Sequence, residues 1–205
     1  MNAHTQRRSI AGPSGALECA IDAPAGVARG LAVICHPHPQ HGGTMDNKVV
    51  QTLARALTQL GYTALRFNFR GVGGSAGGWS QGPGEVDDAL AVVAAFRGDA
   101  DKLVLAGFSF GAYVASQAAA RLASAGAAAE RLVLIAPAAS RFDMAPVPAG
   151  TLVVHGERDD VVPLSAVFEW ARPSALPVTV IPGAGHFFHG QLPLLKSLVV
   201  GAWPA

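Results

Sequence analysis

The strongest local indication of chemistry is a serine with a glycine two positions away on either side, in the pentapeptide Gly-Phe-Ser-Phe-Gly over residues 107–111. An apolar run over residues 102–106 precedes it and a helical pattern over residues 112–125 follows it, as in a sharp strand-to-helix turn. Such a turn raises the Ser109 hydroxyl above the sheet at a helix N-terminus, where the helix dipole favours developing negative charge. The pattern predicts a nucleophilic Ser109, although a serine that only caps a helix would also fit the pentapeptide.

Two acidic residues and two histidines come later in the chain, each pair on a loop after an apolar run. Asp159 and Asp160 follow one run, and His186 and His189 follow the next. Open α/β sheets bind ligands outside the carboxyl ends of their strands, so we expect these loops to converge near Ser109. An acid that orients a histidine, which in turn activates a serine hydroxyl, performs nucleophilic acyl transfer.

Short apolar runs alternate with longer helical patterns along the chain. Continuous runs such as residues 31–34 and 132–135 are typical of strands buried on both faces of a parallel sheet. Strands are predicted over residues 16–21, 30–35, 63–69, 102–107, 131–136, 151–155 and 178–181. Helices are predicted over residues 45–60, 85–96, 109–125, 164–170 and 187–200. This alternation predicts a three-layer α/β fold with a mainly parallel central sheet.

Composition places the chain among compact globular proteins. It has 205 residues, of which 50% are hydrophobic and 14% charged. That balance excludes a disordered chain and predicts a single domain over residues 1–205. The formal net charge is +1 without a basic stripe, so no nucleic-acid partner is expected. No apolar run approaches the roughly 20 residues of a membrane span, so no membrane partner is expected either.

Cysteine usage and the first residues bear on the cellular compartment. Cys19 and Cys35 are too few for a disulfide framework, and two buried thiols in a reducing compartment are expected. Arg7 and Arg8 suggest a twin-arginine export signal, but proline and acidic residues interrupt the apolar segment that such a signal needs. The sequence therefore predicts a cytoplasmic protein.

Five motifs together resemble the small α/β-hydrolases that lack a lid domain, a serine-esterase-like family. They are His36-Pro37-His38-Pro39 with Gly42-Gly43, residues 67–75 (Phe-Asn-Phe-Arg-Gly-Val-Gly-Gly-Ser), the serine pentapeptide, residues 155–163 (His-Gly-Glu-Arg-Asp-Asp-Val-Val-Pro) and residues 183–188 (Gly-Ala-Gly-His-Phe-Phe). The order Ser109, Asp159, His186 is the order of nucleophile, acid and base in this fold class. The resemblance runs from about Leu31 to the C-terminus and implies an α/β-hydrolase fold without a cap domain.

The resemblance also implies which acid belongs to the catalytic triad. The family's spacing of glycine, aspartate and a valine–proline pair falls on Gly156, Asp159 and Val162-Pro163. This favours Asp159 over its neighbour Asp160. The role of such an acid is to fix the imidazole tautomer and to stabilise the imidazolium.

His186 matches the position of the family's catalytic base, and His189 is its rival. We expect His189 to lie behind the base or at the rim of the site. His186 would take the proton of Ser109 and later give it to the leaving group.

The resemblance further implies an oxyanion hole made of two backbone N–H groups. One is the N–H of Phe110, directly after the nucleophile. The other falls on His38, two residues after the first histidine of its motif. Pro37 and Pro39 have no N–H to offer.

A metal site is an alternative interpretation of the same loop. His36, His38, His41 and Asp46 are of residue types that bind metals. The prolines stiffen this segment, no glutamate lies nearby as a general base, and the oxyanion loop also explains the adjacent glycines. No metal is therefore expected.

A dinucleotide fingerprint is mimicked by residues 71–76 (Gly-Val-Gly-Gly-Ser-Ala). The true fingerprint must open a helix, whereas a loop rich in glycine follows here. No nicotinamide cofactor is expected, and Arg70 is predicted to anchor this loop rather than to contact substrate.

The site is predicted to be open, because only residues 137–150 separate two strands between which related proteins commonly insert a cap. Trp79, Phe142, Phe187 and Phe188 lie on nearby loops and are expected to form an apolar wall for an acyl group.

These features predict a carboxylic ester hydrolase that cleaves small-molecule esters of short acyl chains through an acyl-enzyme on Ser109. A thioesterase or other acyl hydrolase on the same triad remains an alternative. A hydrolase-fold protein that binds ligands without turnover is a second alternative.

Overall fold

The central element is an eight-stranded sheet, seen in a computed structural model that describes residues 5–98 and 102–203. The strands lie in the order β1-β2-β4-β3-β5-β6-β7-β8, and every pair from β4 to β8 is parallel. Their bounds are β1 (Gln6–Gly12), β2 (Gly15–Asp22), β3 (Gly30–Cys35), β4 (Tyr62–Phe67), β5 (Lys102–Phe108), β6 (Arg131–Ile135), β7 (Leu152–Gly156) and β8 (Val178–Ile181). The predicted α/β fold with a mainly parallel sheet is confirmed.

Five helices cover the two faces of this sheet. They are α1 (Lys48–Gln59), α2 (Pro83–Phe96), α3 (Phe110–Ser124), α4 (Leu164–Ala171) and α5 (Leu192–Gly201). Leu53 of α1 and Leu195 of α5 belong to the core on one face. Val86, Val114 and Val167, from α2, α3 and α4, belong to the core on the other. The result is the expected three-layer arrangement.

Strand β3 shows why the central strands are continuously apolar. All six of its residues are buried, and alternate side chains enter opposite cores. Leu31 and Val33 pack on one face, whereas Ala32 and Ile34 pack on the other. A strand covered on both faces has no solvent-facing side that would favour polar residues.

The edge strand β1 is absent from the sequence prediction. It pairs only with β2, in an antiparallel hairpin that turns between Gly12 and Gly15. Its sequence is mostly polar and most of its side chains are exposed. Without a buried face on either side, an edge strand of this kind lacks the apolar run by which the other strands were predicted.

Two helices begin three or more residues later than the sequence predicted. Helix α1 begins at Lys48 rather than at residue 45, because the Asn47 side chain accepts a hydrogen bond from the Val49 N–H and caps the helix there. Helix α5 begins at Leu192 rather than at residue 187. Phe188 has a positive φ of 52°, which a helix does not accommodate.

The segment between β6 and β7, residues 137–150, contains no helix or strand. No cap therefore lies over the carboxyl ends of the strands at this position, as the sequence predicted. Among residues 5–98 and 102–203, none of the helices combines the length and the apolar character that a membrane span requires.

Candidate active site

The turn between β5 and α3 holds Ser109 in a strained conformation. Its φ of 57° and ψ of −117° are rare for a residue with a side chain, and such backbone strain costs on the order of 1–3 kcal/mol. A Cβ added to Gly107 would overlap the carbonyl oxygen of Gly111, and one added to Gly111 would overlap the carbonyl oxygen of Cys35. The two glycines are therefore required by the close approach of strand and helix.

The Ser109 hydroxyl is not used to cap the helix that it precedes. Its side chain makes no capping hydrogen bond to α3, while its backbone N–H donates to the carbonyl oxygen of Ile135 at 2.9 Å. The neighbouring strand therefore supports the backbone of the turn, and the hydroxyl stays available for chemistry. This argues against the interpretation of Ser109 as a helix cap alone.

His186 and Asp159 are brought together from loops that follow different strands. The Nδ1–H of the His186 ring donates to Oδ2 of Asp159 at 2.7 Å, and both side chains are buried. With its proton on Nδ1, the ring keeps Nε2 as a proton acceptor. The rivals Asp160 and His189 are exposed and are not part of this pair.

The other oxygen of Asp159 is held by the backbone. Oδ1 accepts hydrogen bonds from the N–H groups of Val161 at 2.9 Å and Val162 at 2.8 Å. Burial tends to raise the pKa of this carboxyl, but the hydrogen bonds from His186 and the Val162 N–H outweigh it and leave the pKa below its ordinary value. Asp159 is therefore a fixed carboxylate.

Ser109 directly follows Phe108, whose ring contacts the ring of His186. The His186 ring lies 5.0 Å, centroid to centroid, from the ring of Phe108, the residue before the serine. Within the described residues the Ser109 hydroxyl donates no hydrogen bond to His186. Catalytic hydrogen bonds are often long in ligand-free enzymes and tighten when substrate binds.

His155 is a site residue that the sequence analysis treated only as the end of a strand and the first residue of the motif over residues 155–163. Its ring is fully buried, its Nε2–H donates to the carbonyl oxygen of Val162 at 2.9 Å, and the same nitrogen lies 3.5 Å from Oδ2 of Asp159. Burial lowers the pKa of His155 and favours the neutral ring. In the sequence, the only sign that His155 would contact Asp159 is its position four residues earlier, in the strand that precedes the loop of that acid.

The two expected oxyanion donors lie beside one small cavity. His38, Ser109 and Phe110 all line a cavity of about 80 Å³. Within the part of the chain that the structure describes, the backbone N–H groups of His38 and Phe110 donate to no other residue. Both groups are therefore free to bind a ligand oxygen.

His36 fixes the loop that carries His38. Its Nδ1–H donates to the carbonyl oxygen of Pro37 at 2.6 Å, and its Nε2 accepts from the N–H of Phe69 at 3.1 Å. Burial lowers the pKa of His36 to about 3, so the ring is neutral at ordinary pH. Both ring nitrogens are occupied by the protein itself.

The metal interpretation of this loop therefore loses two of its four candidate ligands. His36 has no free nitrogen, and Asp46 forms ion pairs with Arg7 at 2.9 Å and with Arg66 at 3.1 Å. In the described ranges of the chain, no group of three histidine, cysteine or acidic side chains is arranged to hold a metal ion.

Arg70 anchors the glycine-rich loop that the sequence singled out. Its guanidinium forms two hydrogen bonds to Asp88, at 2.7 and 3.0 Å, and its backbone N–H forms a third at 2.9 Å. Glu85 accepts hydrogen bonds from the N–H groups of Ser80 and Gly82, which holds the end of the loop. The predicted anchoring role of Arg70 is confirmed.

The aromatic wall differs in part from the expectation. Trp79 and Phe142 contact the His38 ring, with centroid distances of 4.4 and 6.1 Å. Phe187 is exposed and stacks edge-on against His186. Phe188 is fully buried in the core on the other side of the sheet, so its predicted place in the wall is wrong. Of these two consecutive residues, Phe187 therefore faces solvent and Phe188 faces the core.

The fold, the strained serine and the absence of a cap define the class as lid-less α/β-hydrolases. Residues 32–192 match the family model described as the alpha/beta hydrolase domain, and the chain belongs to that family.

Several known proteins are similar over nearly the whole chain. A crystal structure of XC6422 from Xanthomonas campestris, described as an a/b serine hydrolase without lid, is 41% identical with a TM-score of 0.88, covering 98% of this chain and 94% of that chain. An alpha-beta serine hydrolase homologue from Coxiella burnetii is 42% identical with a TM-score of 0.83, covering 97% of each chain. An uncharacterized protein of Rickettsia prowazekii (strain Madrid E) is 33% identical over 86% of this chain and 79% of its own.

Proposed function

We propose that this hydrolase cleaves carboxylic esters through an acyl-enzyme on Ser109, with His186 as the base and Asp159 as the acid that orients it. The observation that carries the proposal is the 2.7 Å hydrogen bond between His186 and Asp159 at the same sheet edge as a serine in a strained strand-to-helix turn. An inert structural serine has no need of that strain.

In the first half of the reaction, Ser109 Oγ attacks the ester carbonyl while His186 Nε2 takes its proton. The imidazolium that forms is stabilised by the Asp159 carboxylate, which two backbone N–H groups hold in place. His186 then gives the proton to the departing alcohol. A water molecule, activated by the same ring, hydrolyses the acyl-enzyme in the second half.

The oxyanion of each tetrahedral intermediate needs hydrogen-bond donors that are already in position. The N–H groups of Phe110 and His38 are free and belong to residues that line the cavity at Ser109. The loss of one such donor in characterised hydrolases costs about 3–4 kcal/mol of transition-state stabilisation. His36 fixes the loop that carries His38, because its ring is hydrogen-bonded to the carbonyl oxygen of Pro37 and to the N–H of Phe69.

The size and walls of the cavity favour a short acyl group. Its volume of about 80 Å³ is well below the roughly 300–1,000 Å³ of pockets for drug-sized ligands, and no cap extends it. Phe110 and Phe142 supply apolar surface.

The test is Ser109→Ala assayed with p-nitrophenyl acetate, with Ser124→Ala as the matched control. Ser124 lies at the exposed end of the same helix, where its hydroxyl bonds only to the carbonyl oxygen of Ala120. We expect Ser109→Ala to lower kcat by at least about 10⁴-fold and Ser124→Ala to behave as the wild type.

Labelling provides an independent check of the nucleophile. Incubation with a fluorophosphonate should add one covalent adduct per wild-type chain, seen by intact mass, and none to Ser109→Ala. Wild-type turnover by Ser109→Ala would overturn the mechanism, and an unlabelled wild-type protein without activity would favour a binding module.

A further inference from the structure

The cavity beside Ser109 has a wall of basic side chains. Its lining includes His38, His41 and Arg141, and its remaining residues are the serine itself and apolar side chains. None of the residues that line it carries a carboxylate. A ligand in this cavity therefore meets positive charge and hydrogen-bond donors that nothing in the wall neutralises.

Arg141 supplies the permanent charge of this wall. It lies in the loop between β6 and β7, and its side chain is exposed. Within residues 5–98 and 102–203 its guanidinium forms no ion pair. Some other arginines are held by carboxylates, namely Arg7, Arg66, Arg70 and Arg121. Arg141 therefore keeps its planar set of donors for a ligand.

The two imidazoles extend the wall. The rings of His38 and His41 stack at a centroid distance of 4.4 Å. His38 Nδ1 accepts a hydrogen bond from the Gln40 N–H, so a neutral ring carries its proton on Nε2 as a further donor. Burial lowers the pKa of His38, and the nearby His41 and Arg141 lower it further.

We infer that Arg141, assisted by the imidazoles of His38 and His41, makes this site selective for esters that carry a carboxylate in addition to the ester group. This inference rests on the proposed ester hydrolysis at Ser109. A guanidinium matches a carboxylate through two parallel hydrogen bonds. A compact carboxylate suits a cavity of about 80 Å³ whose wall has a single permanent charge.

The position of Arg141 indicates a role in substrate binding rather than in the chemical step. Arg141 is not adjacent in sequence to Ser109, Asp159 or His186, and it makes no hydrogen bond to them within the described residues. A contact that substrate and transition state share equally changes KM rather than kcat. Because Arg141 is exposed, salt should screen its effect.

The experiment compares two substrates that differ in one charge. They are p-nitrophenyl hydrogen glutarate, which carries a free carboxylate, and its neutral methyl ester, methyl p-nitrophenyl glutarate. The scissile bond and the leaving group are the same, and the uncatalysed rate of each is subtracted. For the wild type we expect kcat/KM to be about five- to tenfold higher for the anionic ester, mainly through KM, and this ratio to fall in 0.5 M salt.

Arg141→Gln should bring the ratio of the two kcat/KM values close to one, and Arg141→Lys should retain part of the preference. Arg8→Gln is the matched control, because Arg8 is an exposed arginine on the edge strand β1, on the far side of the sheet from the β6–β7 loop. It should leave the ratio at the wild-type value. Thermal unfolding of each variant verifies that the fold is intact.

The outcomes separate this inference from the proposed function. Equal kcat/KM values for the two esters in the wild type, or a ratio that Arg141→Gln does not change, would refute the anionic selectivity while Ser109-dependent hydrolysis stands. Hydrolysis of both esters by Ser109→Ala at the wild-type rate would overturn the proposed function, and the inference with it.

Discussion

At the scale of single residues, His155 supports Asp159, the acid of the proposed triad. Its Nε2–H bonds to the carbonyl oxygen of Val162 and lies within 3.5 Å of Asp159 Oδ2, so one buried ring holds both ends of the short loop that presents the carboxylate. We therefore regard His155 as a positioning residue. Because its ring is fully buried, we expect it to act through Asp159 rather than by contact with substrate.

His155→Leu removes this N–H while it keeps an apolar side chain in the core. We expect kcat to fall about tenfold with little change in KM, because a misplaced Asp159 orients His186 poorly in the transition state. His155→Gln places an amide N–H near the position of Nε2 and should recover most of the loss. Steady-state kinetics and the pH profile of kcat/KM measure both variants.

A purely structural role for His155 predicts that its replacement changes stability and leaves catalysis unchanged. His155 Nδ1 is buried without a hydrogen-bond partner in the described part of the chain, so the native ring itself carries an unsatisfied polar atom. If His155→Leu lowered only the melting temperature and left kcat at the wild-type value, the positioning role would be refuted.

At the scale of elements, the turn from β5 to α3 depends on a close approach between backbones. Gly111 lies in the first turn of α3 against the carbonyl oxygens of Cys35 and His36 at the end of β3. Main-chain atoms cannot yield as a flexible side chain can. The helix must therefore move away from the sheet if a side chain is added here.

Gly111→Ala should lower the free energy of unfolding by about 1–3 kcal/mol, the usual cost of overpacking a core. It should also lower kcat, because the displaced helix carries the Phe110 N–H with it. Urea unfolding followed by circular dichroism measures the stability.

Gly201→Ala is the matched control for this substitution. Gly201 ends α5, and a Cβ added there meets no heavy atom within 4 Å. Alanine is also the better helix former, so stability should stay the same or rise. A loss at Gly201 equal to that at Gly111 would show that backbone crowding at the turn is not the cause.

At the scale of the whole molecule, the core on one face of the sheet encloses both cysteines of the chain. Cys19 on β2 and Cys35 on β3 are free thiols with no exposed surface. Burial raises the pKa of Cys19 to about 12 and raises that of Cys35 as well. A thiol that is neither exposed nor ionised does not react as a nucleophile.

The native protein should therefore show no fast reaction with a disulfide reagent such as Ellman's reagent at pH 8. In guanidinium chloride both thiols should react, which gives two per chain. Absorbance of the released thiolate measures each stage. One thiol titrated rapidly in the native state would mean that this core opens more readily than the burial of its thiols indicates.

Local sequence patterns were sufficient to predict the features that depend on residues close together in the chain. The predicted bounds of β3 and β8 match the structure. For β3 the reason is that a strand covered on both faces is a continuous apolar run with turn residues at its ends. The serine pentapeptide predicted its strand–turn–helix context for a similar reason. Its glycines are needed by the turn that contains them.

The tertiary structure decided what depends on groups distant in sequence. The hydrogen bond between His186 and Asp159 joins loops 27 residues apart. The edge strand β1 forms only because β2 offers it a partner. Phe188 packs in the core that also contains residues of α1 and α5, and Arg141 lines the cavity at Ser109. Both placements follow from contacts between residues that are distant in the sequence. Apolar periodicity indicates which residues of a helix or strand face the core. These pairings depend instead on how separate elements pack against each other, which a local sequence pattern does not determine.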